Sequence, residues 1–210
     1  MDNKNISVLL EELRKQGIKD KILEVLKSVK RENFVPKEFK KRAYENIPLP
    51  IGHKATISQP YTVAIMLQEL ELKVGNKVLE IGTGSGYNAA LISKLIGSKG
   101  KIYTLEIIPK LAESARKKLK NCRNVKVLQR DGSNGLKEKA PFDRIIQTAA
   151  SKSLQKNLIT QLKINGIYIA PVGPSQQSQK LIKVRKTKQK ITYQSLGEFI
   201  FVPLVRMKIN

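Results

Sequence analysis

The feature that most constrains this chain is a glycine-rich turn between an apolar run and the start of a helix. Residues 77–87 read Lys-Val-Leu-Glu-Ile-Gly-Thr-Gly-Ser-Gly-Tyr. The apolar residues are typical of a buried parallel strand, and Gly82, Gly84 and Gly86 allow a ligand to approach the backbone closely. Because short glycine motifs also occur as plain turns, the neighbouring sequence decides the interpretation. The apolar run, the three glycines and the helix start together predict a nucleotide-binding element in a cofactor-dependent enzyme.

Three acidic residues lie at or near the ends of three successive predicted strands. They are Glu80, Glu106 and Asp131. Glu106 stands 20 residues after Gly86, close to where a carboxylate accepts hydrogen bonds from ribose hydroxyls in nucleotide-binding folds. Ligands of open α/β sheets bind outside the carboxyl ends of the strands, so the three acids are expected around one crevice. The third acid favours a mononucleoside ligand over a dinucleotide.

Strands and helices are predicted to alternate after the glycine turn. We expect helices at 87–97, 110–121, 134–138 and 153–163, and strands at 101–106, 125–129, 143–148 and 166–172. This alternation indicates an α/β fold with a parallel sheet and crossover helices. Two further β-rich runs, 181–184 and 196–205, predict an antiparallel C-terminal hairpin. Before the turn, apolar spacing predicts two helices within 6–29, broken at Gly17, and a third at 63–72.

Length and composition are those of one globular domain. The chain has 210 residues, of which 40% are hydrophobic. We expect N-terminal helices and an active-site segment in 1–60, a cofactor-binding core in 61–175 and the hairpin in 176–210. No apolar run approaches the roughly 18 residues that a membrane helix needs, and no signal-type segment is evident, so we expect a cytoplasmic protein without a membrane partner.

Single cysteine and histidine residues exclude several kinds of catalytic site. Cys122 and His53 are each the only residue of their type. An intrachain disulfide, a cysteine-based metal cluster and a histidine-centred triad are therefore not expected, and no metal is predicted. We expect His53 to be a loop residue without a proton-transfer role.

The chain is strongly basic, with 40 Lys and Arg residues against 17 Asp and Glu residues and a net charge of +23. Such a field attracts polyanions. Aromatic residues do not interleave the basic runs, so the pattern favours a solvated surface with only nonspecific nucleic-acid contact.

The order of short motifs resembles the protein-L-isoaspartate O-methyltransferase family over nearly the whole chain. The segments that carry the resemblance are 31–36 (Arg-Glu-Asn-Phe-Val-Pro), 48–52, 56–60 (Thr-Ile-Ser-Gln-Pro), 79–87, 130–132, 141–145, 171–173 and 201–204. The resemblance implies a Rossmann-like methyltransferase fold with a mostly parallel seven-stranded sheet and helices on both faces. It also implies methyl transfer from S-adenosyl-L-methionine to the α-carboxylate of L-isoaspartyl residues in damaged proteins and peptides, without a metal. The basic surface leaves an RNA methyltransferase open as an alternative, although residues 147–150 read Gln-Thr-Ala-Ala and not the Asn-Pro-Pro-Tyr type found in amino-group methylating enzymes.

The same resemblance assigns residues to the site. It implies cofactor contacts by Thr56, Ile57, Ser58, Glu80, Gly82, Thr83, Gly84, Gly86, Glu106, Asp131 and Gly132, and substrate contacts by Ile57, Ser58 and Val202. Glu106 would bind the ribose, Asp131 the adenine amino group and Glu80 the methionyl end. Ser58, the implied catalytic residue, would position the acceptor, since a carboxylate is already ionised at neutral pH and needs no base. The alternative is that Ser58 only caps the segment at Pro60.

Two departures from the family pattern are visible. Lys54-Ala55 stands where the family commonly has glycine-glutamine, and Ser151-Lys152 replaces a proline that usually follows Ala150. We expect both to affect loop geometry and the approach of the substrate.

Overall fold

A seven-stranded sheet with flanking helices forms the core of the computed structural model, which describes residues 2–174 and 177–206, with side chains from Ile6 onward. The helices are α1 (Asp2–Lys15), α2 (Asp20–Ser28), α3 (Pro60–Glu69), α4 (Tyr87–Ile96), α5 (Pro109–Lys118) and α6 (Lys156–Thr160). The strands are β1 (Leu49–Gly52), β2 (Ala55–Ile57), β3 (Lys77–Ile81), β4 (Lys101–Glu106), β5 (Val125–Gln129), β6 (Phe142–Gln147), β7 (Leu162–Val172), β8 (Gln179–Lys186) and β9 (Ile191–Phe199).

The order of strands in the large sheet is β5-β4-β3-β6-β7-β8-β9. Strands β3 to β7 pair in parallel, whereas β8 pairs antiparallel with both β7 and β9. The predicted mostly parallel sheet with an antiparallel C-terminal hairpin is thus confirmed. The chain changes direction across the sheet between β3 and β6, and in such folds ligands bind at this switch point.

Alternate residues of the central strands pack on opposite faces of the sheet. Val78 belongs to the larger apolar cluster, with the N-terminal helices, while Leu79 and Ile81 belong to the second cluster, with α6. Both faces are buried, as the continuous apolar run of β3 requires. The fully covered sheet holds the carboxyl ends of β3, β4 and β6 in fixed positions.

Several predicted boundaries were wrong. The segment 134–138 is not a helix, because Gly135 has a left-handed backbone conformation (φ 69°) that a helix cannot contain. A short 3₁₀ helix follows at Lys137–Lys139. Helix α6 is shorter than predicted, and β7 begins at Leu162 instead of 166. The predicted boundary at 175/176 lies outside the described residues.

The last predicted strand also differs. Strand β9 ends at Phe199, and the chain then leaves the hairpin. The N–H of Phe201 donates to Oε1 of Gln179 (2.8 Å), and Pro203 forms a bridge with Ala150. Residues 201–204 therefore cross towards the parallel part of the sheet, next to β6. Within the described part of the chain, no helix has both the length and the apolar character needed to span a membrane.

Candidate active site

A cavity of about 360 Å³ opens at the carboxyl ends of β3, β4 and β6, at the switch point of the sheet. Two segments from outside the sheet complete its wall: the β1–β2 hairpin with residues 53–58, and residues 202–205. Nine of the predicted site residues line it: Thr56, Ile57, Ser58, Gly82, Thr83, Gly84, Glu106, Gly132 and Val202. Glu80, Gly86 and Asp131 are not part of its lining.

The glycine turn forms the floor of the cavity. The N–H groups of Gly82 and Thr83 both donate to the carbonyl of Leu105 (2.9 and 3.1 Å), which joins the turn to β4. Gly82 has φ 94°, and a Cβ there would lie 2.5 Å from Oγ1 of Thr148. Only glycine fits this position, because an L side chain is disfavoured by the backbone conformation and would also collide with Thr148.

Glu106 presents its carboxylate to the cavity at the end of β4. It is only 6% exposed, and its two oxygens accept hydrogen bonds from the N–H groups of Gly84 (2.8 Å) and Ile108 (3.0 Å). A carboxylate has about four acceptor sites, so two backbone bonds leave capacity for further donors. The side chain is fixed in orientation and can accept hydrogen bonds from a ligand diol.

Glu80 lies beneath the glycine turn and is completely buried. Its oxygens accept hydrogen bonds from Nδ2 of Asn88 (2.7 Å) and Oγ1 of Thr104 (2.5 Å), and the Thr104 hydroxyl also bonds to that of Thr83 (2.6 Å). Burial raises the pKa of Glu80 from 4.5 to about 7, although these hydrogen bonds oppose the change. Asn88 and Thr83 line the cavity, so Glu80 is connected to it by hydrogen bonds, directly to Asn88 and through Thr104 to Thr83.

The two other predicted residues outside the lining lie next to residues that form the wall. Gly86 is the N-cap of α4, with φ 87°, and a Cβ there would lie 3.0 Å from Leu119. Asp131 is half-buried beside Gly132, and its Oδ1 accepts a hydrogen bond from the N–H of Ser133 (2.8 Å). Gly132 itself packs so tightly that a Cβ would lie 2.7 Å from Cγ2 of Ile81.

Ser58 follows β2 and lines the cavity beside Val63. Its hydroxyl makes no hydrogen bond to any side chain or backbone group in the described part of the chain. Helix α3 begins after Gln59, and its N-terminus has no side-chain cap, so the alternative that Ser58 caps this segment receives no support. The Ser58 hydroxyl is available to a ligand.

Arg31 holds the Ser58 segment from behind, which sequence reasoning missed. Its guanidinium is 1% exposed and donates to the carbonyls of Ser58 (3.0 Å), Ile47 (3.1 Å) and Ala43. Among the described groups, its Nε has no partner. Burial lowers the pKa of Arg31 to about 10, so it remains cationic at neutral pH. The only sequence indication was its place in the 31–36 motif.

The C-terminal segment closes the opposite side of the cavity. The N–H of Ala150 donates to the carbonyl of Val202 (2.8 Å), and the N–H of Leu204 donates to that of Ala150 (2.7 Å). The N–H of Ser151 donates to the carbonyl of Pro171 (3.2 Å), which joins this segment to β7.

Further lining residues were not predicted. They are Val63, Ile81, Ser85, Tyr87, Asn88, Leu105, Ile107, Ile108, Leu111, Thr148 and Ala149, besides His53–Ala55 and residues 203–205. Several are next to predicted residues in the chain, which was the available indication. The apolar ones next to Glu106 suit the flat face of a nucleobase. Among the residues described, no cluster of His, Cys, Asp and Glu could hold a metal ion.

Comparisons with known proteins point to one family. Residues 3–208 match the family described as protein-L-isoaspartate(D-aspartate) O-methyltransferase. A protein-L-isoaspartate O-methyltransferase of Fervidobacterium nodosum is 47% identical over 199 residues, covering 94% of this chain and 100% of the relative. One from Ignicoccus hospitalis is 47% identical over 186 residues, covering 88% of each chain.

A solved structure has the same fold. A Plasmodium falciparum protein, described as an isoaspartate O-methyltransferase and crystallised with S-adenosyl-L-homocysteine, aligns with a TM-score of 0.83 and 25% identity, covering 95% of this chain and 98% of that one. The family match spans nearly all of the chain, and the relatives are matched over most or all of their length. This chain therefore belongs to the protein-L-isoaspartate O-methyltransferase family.

Proposed function

We propose that this protein transfers a methyl group from S-adenosyl-L-methionine to the α-carboxylate of L-isoaspartyl residues in damaged proteins and peptides. The observation that carries the proposal is a single cavity lined by the glycine turn, Glu106 and Ser58. A nucleoside-binding half and an acceptor-binding half would thus share one space. The family match supports this substrate class, and neither the lining nor the comparisons support the RNA methyltransferase alternative.

The residues at the floor of the cavity fit the cofactor. Glu106 would accept the ribose hydroxyls with the acceptor capacity that Gly84 and Ile108 leave, and Ile107, Ile108 and Leu111 would cover the base. Asp131, beside Gly132, would bind the adenine amino group from the edge. In a chain of net charge +23, a cationic cofactor needs a local carboxylate, and Glu106 supplies one inside the cavity.

Glu80 would act on the methionyl end indirectly. Its carboxylate is separated from the cavity by Asn88 and by the Thr83 hydroxyl, both of which line it. We expect Glu80 to orient these two groups towards the cofactor. A direct contact with the methionyl amine would require rearrangement of this buried network.

The reaction requires little acid–base catalysis by the protein. The acceptor carboxylate is ionised at neutral pH, and the sulfonium of the cofactor supplies an already activated methyl group. What the chain must provide is alignment of the reacting atoms at about 3 Å, an effect worth several kcal/mol. Consequently His53, although it lies at the cavity, needs no proton-transfer role.

Ser58 would donate its hydroxyl hydrogen to the acceptor carboxylate and hold it in line with the methyl group. Its backbone is fixed by Arg31, so the hydroxyl is presented from a rigid position. A group that positions the acceptor contributes mainly to kcat, because misplacement by about 1 Å can cost on the order of a hundredfold in rate.

The proposal is tested by methyl transfer from labelled S-adenosyl-L-methionine to paired peptides that differ only in isoaspartate against aspartate, with purified RNA as a further acceptor. We expect base-labile label on the isoaspartyl peptide alone. The Ser58→Ala variant should transfer at a much lower rate while binding S-adenosyl-L-homocysteine normally. Label on RNA with none on either peptide would refute the proposed function.

A further inference from the structure

The turn between β1 and β2 has an unusual backbone at the mouth of the cavity. Three consecutive residues have positive φ: Gly52 (86°), His53 (54°) and Lys54 (57°). A two-residue hairpin turn with positive φ at both central positions normally uses residues such as Asn-Gly. Lys54 occupies this left-handed conformation, which is uncommon for residues that carry a side chain. Strained backbone positions cluster at functional sites, and Lys54 lines the cavity.

Two charged side chains line different parts of the cavity. Glu106 lies at the glycine turn, and Lys54 lies on the β1–β2 hairpin. Lys54 is exposed, and it forms no hydrogen bond or ion pair with any residue in 2–174 or 177–206 for which side chains are described. Its ammonium group is therefore available at the entrance, where a peptide must pass.

We propose that Lys54 is a specificity-determining residue that binds a carboxylate side chain flanking the isoaspartyl unit, so that the enzyme favours acidic peptides. This inference rests on the proposed function. A flanking carboxylate is a better partner than the acceptor itself, because an ion pair to the acceptor oxygen would lower its nucleophilicity. The exposed position of Lys54 also suits a residue outside the reacting centre.

The local effect of Lys54 can be separated from the effect of the overall positive charge of the protein. With a net charge of +23, every acidic peptide is attracted to the protein over long range. Exposed Lys99 contributes equally to that field but does not line the cavity. Lys99→Gln is consequently a matched control for Lys54→Gln, since both changes remove one exposed lysine charge.

The test compares kcat/KM for isoaspartyl peptides with acidic, neutral and basic flanks, using the wild-type protein, Lys54→Gln, Lys54→Gly and Lys99→Gln at low and moderate salt. We expect both Lys54 variants to lose roughly twofold to fivefold on the acidic peptide, the range of an exposed ion pair, with little change on the neutral one. The loss should shrink as salt is raised. Binding of S-adenosyl-L-homocysteine, measured by calorimetry, should be unchanged in all variants.

Two outcomes would overturn the proposal. One is an equal effect of the Lys54 changes on acidic and basic peptides; the other is an equal loss in Lys99→Gln, which would assign the preference to the overall field. In both cases methylation of the neutral isoaspartyl peptide would leave the proposed function intact. If no isoaspartyl peptide is methylated by the wild-type protein, the proposed function and the role of Lys54 fail together.

Discussion

Buried Glu80 predicts a specific pH dependence of stability. Its pKa is raised by burial from 4.5 to about 7 in the folded protein. The protonated form is therefore favoured by folding, and this contribution is fully present below about pH 4.5 and is lost as the pH rises through 7. Since each pKa unit corresponds to about 1.36 kcal/mol, the loss amounts to roughly 3 kcal/mol.

Glu80→Gln isolates this effect. The amide oxygen of glutamine can still accept from Nδ2 of Asn88, and the Thr104 hydroxyl can turn to accept from the new amide while donating to Thr83. The variant thus keeps the hydrogen bonds and has no titratable group at this position. We expect it to match the wild-type protein within about 1 kcal/mol at pH 5, as expected when bonding is conserved, and to be more stable by roughly 2–3 kcal/mol at pH 8.5.

The assay is urea unfolding of the wild-type protein, Glu80→Gln and Glu24→Gln at matched ionic strength between pH 5 and 8.5. Glu24 is exposed, so its replacement controls for the loss of a surface carboxylate. The difference between wild-type and variant stability cancels the titration of all other groups. In thermal unfolding of the same proteins, the midpoints of the wild-type protein and Glu80→Gln should diverge by about 4–12 °C over this range. A difference between the wild-type protein and Glu80→Gln that stays constant with pH would refute the reasoning.

Three further substitutions have defined expectations. Arg31→Lys keeps the charge but cannot donate to the carbonyls of Ala43, Ile47 and Ser58 together, so urea unfolding should show a loss of about 1–3 kcal/mol in stability. We also expect kcat to fall while the affinity for S-adenosyl-L-homocysteine is retained. An unchanged kcat would exclude a positioning role for Arg31. Gly132→Ala brings a methyl group against Ile81 and should lower the free energy of unfolding by about 1–3 kcal/mol. It should also weaken the binding of S-adenosyl-L-homocysteine, measured by calorimetry. Normal stability and affinity would contradict the packing argument. Lys54→Gly removes the steric cost of a lysine in the left-handed conformation and should raise the free energy of unfolding by about 0.5–1 kcal/mol in the same urea assay. A lower urea midpoint for this variant would show that the turn is unstrained.

The sequence predicted those features that depend on local pattern. The apolar run of β3, the glycines after it and the position of Glu106 are all encoded within one βαβ unit, and the structure places them as expected at the switch point of the sheet. Helix and strand ends were less predictable. Gly135 and the early start of β7 altered segments whose apolar pattern suited a longer helix.

Features that depend on distant contacts could not be predicted. The acceptors of Arg31 include Ser58, 27 residues away, and the path of residues 201–204 is set by bonds to Ala150 and Gln179. The complete burial of Glu80 follows from packing of the glycine turn and α4 above it, and its network reaches Thr104 on the next strand. In each case the sequence names the residue, while its partners come from elements that meet only in the folded chain.

The most direct test of the central claim is mass spectrometry of one peptide pair, isoaspartyl and aspartyl, after incubation with the wild-type protein and S-adenosyl-L-methionine. The account predicts the added mass of one methyl group on the isoaspartyl peptide alone, and loss of methanol from that product under mild base as the ester collapses to a succinimide. Methylation of both peptides alike, or a methylated product that resists mild base, would contradict transfer to the isoaspartyl α-carboxylate.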